Sequence, residues 1–184
     1  RNRLQYCGMR PTRYGQGHAI HVTYPSLLHV AGNVLDRCWA SGIFVWGGSA
    51  VTVDSLLTRI LVHNNRVTNL LLNSNDWGQI EHWHAGEAYI FNNVSGNPGG
   101  YWHYNFMGKW NKDHRNARFG HAYYSDHGHK GYFFNNIAWG RENDLQSPLT
   151  NCSAFQEIGN KSNSFFNNSI HKFLVAFRRQ GPKK

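Results

Sequence analysis

Ile90-Phe91-Asn92-Asn93 is a short apolar run closed by asparagine, and four other stretches repeat it. They are Val30-Ala31-Gly32-Asn33, Leu61-Val62-His63-Asn64-Asn65, Phe133-Phe134-Asn135-Asn136 and Phe165-Phe166-Asn167-Asn168. The closing asparagines fall 32, 28, 43 and 32 residues apart. Repeats of roughly 20–50 residues mark solenoids, propellers or arrays. Asn tolerates left-handed backbone, and its amide can stack on the Asn of the next lap as a ladder. One such closure per lap is what a parallel β-helix requires.

A second short strand precedes four of those asparagines at a near-constant distance. These strands are Gly17-His18-Ala19-Ile20-His21-Val22, Gly78-Gln79-Ile80-Glu81-His82, Gly120-His121-Ala122-Tyr123-Tyr124 and Ser153-Ala154-Phe155-Gln156-Glu157-Ile158. Gly42-Ile43-Phe44-Val45-Trp46 lies farther upstream of Asn65 and implies a longer turn. The expected fold is therefore all-β: a right-handed, single-stranded parallel β-helix over residues 1–184, with two or three strands per lap. The hand follows from the general rule for parallel connections. The 43-residue gap implies a loop inserted at 97–119. Ser49 to Leu61 is the nearest approach to a helix. No capping helix is legible at either end, and solenoids protect their terminal strands with caps; a section of a longer chain is expected.

The 184 residues carry 19 Lys and Arg against 10 Asp and Glu, with 12 His besides, a net charge of +9. That balance favours an anionic partner. The basic residues are scattered and carry no nucleic-acid motif, which points to an acidic glycan and away from nucleic acid. No stretch approaches the ~18 apolar residues of a membrane-crossing helix. Arg178 to Lys184 reads as a solvated tail. Cys7, Cys38 and Cys152 lack zinc-ribbon spacing; Cys7 and Cys38 lie about one lap apart, close enough to stack or pair, and the expected reading is small buried core thiols.

With so few acids, two settings stand out. Asp76 lies in Asn75-Asp76-Trp77-Gly78-Gln79-Ile80-Glu81-His82-Trp83-His84, and Asp126 in Tyr123-Tyr124-Ser125-Asp126-His127-Gly128-His129. Each borders the Gly-led strand of its lap, and laps stack about 4.8 Å apart. Two such acids can reach the ~5–9 Å separation that glycoside hydrolysis uses, one protonated and one ionised. An Asp beside Gly also caps turns, which is the plain structural reading. Trp77, Trp83, Tyr123 and Tyr124 are of the type that stacks on sugar faces. His82 and His84 should share one strand face, as should His127 and His129, where they would hydrogen-bond sugar hydroxyls. No cofactor is expected. The two His-x-His pairs have residue types that hold a divalent cation, although neither spacing is a recognised metal motif.

These segments resemble the bacterial β-helix carbohydrate-active proteins of the pectin-lyase-like fold, nearest to glycoside hydrolases of the α-fucosidase/xylanase kind. Members show N-D-x-G-x-I-Y, then G-I-Y-L-D-D-G followed by a strand and N-N. Asn75-Asp76-Trp77-Gly78-Gln79-Ile80 matches the first, with Glu81 where Tyr is usual. Ala122-Tyr123-Tyr124-Ser125-Asp126-His127-Gly128, then Tyr132 to Asn136, matches the second, with His127 in place of the second Asp. The resemblance implies Asp76 and Asp126 as catalytic carboxylates, with Glu81 as the acid that substitutes for the missing one. It also implies a secreted or periplasmic hydrolase acting on a polysaccharide.

Two alternatives use the same groove. A lyase would need a cation for a uronate carboxylate and a base for its C5 proton; Lys109, Lys112, His114, Arg115 and Arg118, with Tyr101, Trp102, Tyr104 and Trp110, supply such types in the inserted loop. A carbohydrate-binding or structural coil needs no catalysis at all. Oligomeric state is not legible.

Overall fold

The structure, a computed structural model, describes residues 1–9, 17–47, 59–72, 74, 76–100, 119–141, 152–159 and 162–181. Those residues form strands and turns with no helix among them, in three all-parallel sheets. The first sheet holds three-residue strands β1 (Arg3–Gln5), β4 (Val34–Asp36), β7 (Arg66–Thr68), β10 (Val94–Gly96), β13 (Ile137–Trp139) and β16 (Ser169–His171). The second holds β2 (Ile20–Thr23), β5 (Ile43–Trp46), β8 (Trp77–Trp83), β11 (Gly120–Asp126), β14 (Ser153–Ile158) and β17 (Val175–Gln180). The third holds β3 (Leu27–Ala31), β6 (Arg59–His63), β9 (Ala88–Phe91), β12 (Gly131–Phe134) and β15 (Ser164–Phe166). Each strand pairs with its counterparts in the laps before and after, so the chain is a parallel β-helix.

The Asn-Asn closure proves to be a corner of two residues with divided roles. The first residue takes the left-handed conformation: Gly32, Asn64, Asn92, Asn135 and Asn167 have φ between 52° and 70°. The second builds the ladder. The backbone N–H and the side-chain Nδ2 of Asn65 both donate to Asn93 Oδ1 at 3.0 Å, and Asn93 does the same to Asn136 Oδ1 at 3.1 Å. The run extends from Asn2 through Asn33 to Asn168. Each inner amide also donates to the carbonyl of the strand one lap back, as Asn93 does to Val62 O. A corner without side-chain acceptors would leave these N–H groups unpaired in a dry interior.

The core fills the coil with stacked apolar side chains, among them Leu35, Ile43, Ile60, Val67, Ile80, Ile90 and Phe133. Phe133 is fully buried, stacks on Phe165 at 4.7 Å and meets Phe155 edge-on. Phe133→Ala is expected to cost about 3–5 kcal/mol, because a rigid stack cannot collapse into the void; denaturant unfolding measures it.

Two expectations change on inspection and one holds. Arg178 to Gln180 is not a solvated tail: it belongs to β17, with Arg179 3.4 Å from the Glu157 carboxylate. Cys7 and Cys38 are neighbouring free thiols, as expected, and burial pushes the Cys38 thiol up to about 11. Residues 59–61 of the candidate helical stretch are strand, while 49–58 lie outside the described residues. At the expected insertion, Phe119 N–H donates to Gly100 O at 2.7 Å, so the chain leaves and re-enters at one point. No described helix is long and apolar enough to cross a membrane.

Candidate functional site

The second sheet positions the candidate residues through its register. Phe44, Glu81, Tyr124, Gln156 and Arg178 are successive partners in one row; Trp46, Trp83, Asp126 and Ile158 form another two residues on. Side chains alternate along a strand. These rows therefore share the outer face, while the row between them, Val45, His82 and Ser125, and the row just before them, Ile43, Ile80, Tyr123 and Phe155, face inward. The outer face has two halves. On the β2–β5–β8 side, His18, Phe44, Trp77 and Trp83 pack edge to face. On the β11–β14–β17 side lie His121, Tyr124, Gln156 and Arg178. The acids sit on the seam between the halves.

Asp76 precedes β8 in a left-handed turn, φ 58°, with its N–H bonded to Phe119 O at 2.7 Å. Its carboxyl is half-buried and accepts the Tyr124 hydroxyl at 3.5 Å. Burial first, and then the charge of Asp126, push it up to about 7; Tyr124 and Arg178 oppose that rise. The carboxyl of Asp126 is also raised by burial, but the His127 hydrogen bond and the charges of His127 and His84 draw it back. His127 Nδ1 donates to Asp126 Oδ1 at 2.5 Å. The ring of His84 stacks on that of His127 at 5.0 Å, nearly parallel. Glu81 is buried beside both, its carboxyl held well above the usual range chiefly by burial, and it accepts the Gly78 N–H at 2.8 Å. One acid near 7, one tied to an imidazole and one held neutral can divide the roles of proton donor, ionised partner and spacer.

Several expected residues stand elsewhere. His82 and His84 do not share a face, because β8 ends at Trp83 and His84 turns left-handed, φ 50°. His82 faces inward, fully buried: Nε2 donates to Ala85 O and Nδ1 accepts the Ser125 hydroxyl, so it offers no surface to a substrate. His127 and His129 likewise lie beyond the end of β11, with His127 at φ 51°. His129 packs its ring against Gly86, where a Cβ would fall 2.6 Å from Cδ2. Tyr123 belongs to the core, its hydroxyl bonded to Asn93 O and Ile137 O. Trp77 and Tyr124 are 5% and 1% exposed, so they brace the site rather than cover a sugar. The aromatics of this face that stay partly open to solvent are half-buried Trp83 and Trp46, stacked at 5.7 Å, with Tyr24 exposed beyond them. Trp102, Arg115 and Arg118 lie outside the described residues.

Trp46, His121, Gln156 and Arg178 are the residues that sequence reasoning passed over. Their only signal was membership of the strand that repeats once per lap. No group of three or more His, Cys, Asp or Glu among the described residues is arranged to hold a metal ion. No family model matches the chain, and neither a curated protein nor a solved structure matches it, so its chemistry is read from its own geometry.

Proposed function

We propose that the chain is a glycoside hydrolase acting on a polysaccharide laid across the outer face of the second sheet. The observation that carries this reading is the seam: Asp76 accepts the Tyr124 hydroxyl, Tyr124 is the register partner of Glu81, and Asp126 stands two residues on in the same strand, beside the half-open Trp46–Trp83 stack. Asp76, near 7 and so partly protonated at neutral pH, donates a proton to the leaving oxygen. Asp126, hydrogen-bonded to His127, is the ionised partner that attacks or activates water. Glu81 keeps a neutral, dry floor between them.

The test is a screen of purified protein against neutral and acidic polysaccharides, read at once for new reducing ends and for ultraviolet absorbance. Reducing ends without absorbance are expected. Reducing ends with absorbance, the mark of an unsaturated uronate, would replace the hydrolase by a lyase. Binding with neither signal would make the chain a carbohydrate-binding coil. Within the hydrolase reading, Trp46→Ala is expected to raise KM about tenfold and leave kcat nearly unchanged, since stacking holds ground state and transition state alike.

A further inference from the structure

Away from the acids, two cysteines stand one above the other on neighbouring laps. Strand β1 runs in register with β4, so Gln5 pairs with Asp36. Both strands then turn the same corner. Tyr6 and Arg37 are left-handed there, with φ of 55° and 53°. The Tyr6 N–H donates to Asp36 O at 3.3 Å, and the Trp39 N–H donates to Cys7 O at 3.0 Å. Cys7 therefore lies on Cys38 as Gln5 lies on Asp36. The thiols copy one another: Cys7 Sγ donates to Gln5 O at 3.8 Å, and Cys38 Sγ donates to Asp36 O at 3.6 Å. At the same corner of the next lap, after left-handed Asn69, the buried position is Leu70. Packing there is met by an ordinary apolar side chain, so a stacked pair of thiols adds a chemistry that packing does not demand.

The geometry suits a covalent bond. Neighbouring parallel strands set register partners about 4.8 Å apart, inside the 4.4–6.8 Å between Cα atoms that a disulfide spans. The two side chains leave corners of the same conformation and run side by side, and the Cys38 thiol has Cys7 as a hydrogen-bonding neighbour. Closing the bond draws the Cβ atoms to about 3.8 Å. Strand β1 can give that much, because it is three residues long and paired along one edge only. Access differs between the two. Cys7 is half-buried and meets solvent; Cys38 is fully buried, and burial holds its thiol at about 11. Cys152 is buried in a distant lap, its Sγ 3.7 Å from Gly99 O.

We propose that Cys7 and Cys38 are a dithiol site for low-molecular-weight disulfides, which closes into a cross-link fastening the first lap to the second. The Cys7 thiolate attacks one sulfur of the oxidant, forming a mixed disulfide and releasing one small thiolate. Cys38 then attacks the Cys7 sulfur. The Cys7–Cys38 bond forms, the mixed disulfide breaks, and the Cys38 proton leaves with the second small thiol. The protein is oxidised by two electrons and the small disulfide is reduced to two thiols. The cross-link closes a loop of about 30 residues, which restricts the unfolded chain. It also holds β1 on the open edge of its sheet, where a short strand otherwise frays. The site makes no use of the acids and stands whether or not the chain is a hydrolase.

The test incubates the folded full chain with glutathione disulfide at mildly alkaline pH, then alkylates remaining thiols in denaturant and maps the peptides by mass spectrometry. One peptide pair joined through Cys7 and Cys38 is expected, with Cys152 alkylated. The melting temperature should rise by about 5–10 °C and return to its starting value with dithiothreitol. Cys38→Ala is expected to stop at a glutathione adduct on Cys7. Cys7→Ser should take up no glutathione while folded, because the buried thiol then has no point of entry. The proposal is overturned if all thiols survive the native incubation and react only after unfolding, since the pair is then core packing. It is equally overturned if the parent keeps glutathione on Cys7 without closing the bond, if the bond joins Cys152, or if the closed bond fails to raise the melting temperature.

Discussion

Asp76→Asn is expected to lower turnover by a factor of about 10²–10⁴, the usual contribution of a positioned general acid, and to leave substrate binding largely intact. Asp126→Asn should lose a comparable factor, because it removes the ionised member. If both variants keep full activity, the carboxylates are turn caps and the hydrolase reading fails. The pH profile is a second check. Turnover should fall as pH rises through about 7, where Asp76 gives up its proton.

The same carboxyl makes a stability prediction of definite sign. Its folded value of about 7 lies above the 3.8 of a freely solvated aspartate, so between those limits the folded chain binds more protons than the unfolded one. Asp76 thus favours the fold fully below about 3.8, and that contribution is lost as pH rises to about 7. Asp76→Asn should therefore be more stable than the parent at neutral pH, with the advantage shrinking toward pH 4. A gain in stability combined with a loss of turnover is what distinguishes a strained functional acid from a cap. Equal melting temperatures for the two proteins across that range would contradict the burial argument.

Asn93→Ala should be the most damaging single change to the fold. Asn93 is fully buried, and its side chain accepts the N–H and amide of Asn65 at 3.0 Å while donating to Val62 O and Asn136 Oδ1. Deleting it strands groups on both neighbouring laps. Each unpaired buried group costs about 1–3 kcal/mol, so a total of about 4 kcal/mol or more is expected. That is a large part of the 5–15 kcal/mol by which domains are typically stable. Asn92→Ala, one residue earlier, should cost only about 1–2 kcal/mol, the penalty of a left-handed Ala. Parallel denaturant titrations of the two variants compare them. Equal losses would mean that the ladder is no stronger than the turn it decorates.

The contrast between those two asparagines explains why the fold could be read early. Few residues accept φ near 53° without glycine's flexibility, and few carry an amide that can both donate and accept along a stack. Both demands recur once per lap, so they leave a period in the chain. The first sheet left no such trace, because Val34–Asp36, Arg66–Thr68 and their partners are three residues long and too short to show an alternation. The acids were legible as Asp beside a Gly-led strand. The histidine pairs were misjudged because alternation holds only while a strand lasts, and β8 stops one residue before His84.

Arg178 and Gln156 were illegible for a different reason. Nothing within Ala154 to Ile158 or Val175 to Gln180 says that these side chains stand in one row with Glu81 and Tyr124. That follows from a register set across segments up to almost a hundred residues apart. The sequence by itself determined the parallel coil, its Asn corners and the two Asp that border its longest strands, because local backbone geometry and a fixed period are written residue by residue. Only the tertiary structure decided which histidines are buried, which tryptophans remain open, and which arginine faces the acids. Burial and neighbourhood depend on how laps stack, and stacking is a property of pairs of segments that neither segment carries alone.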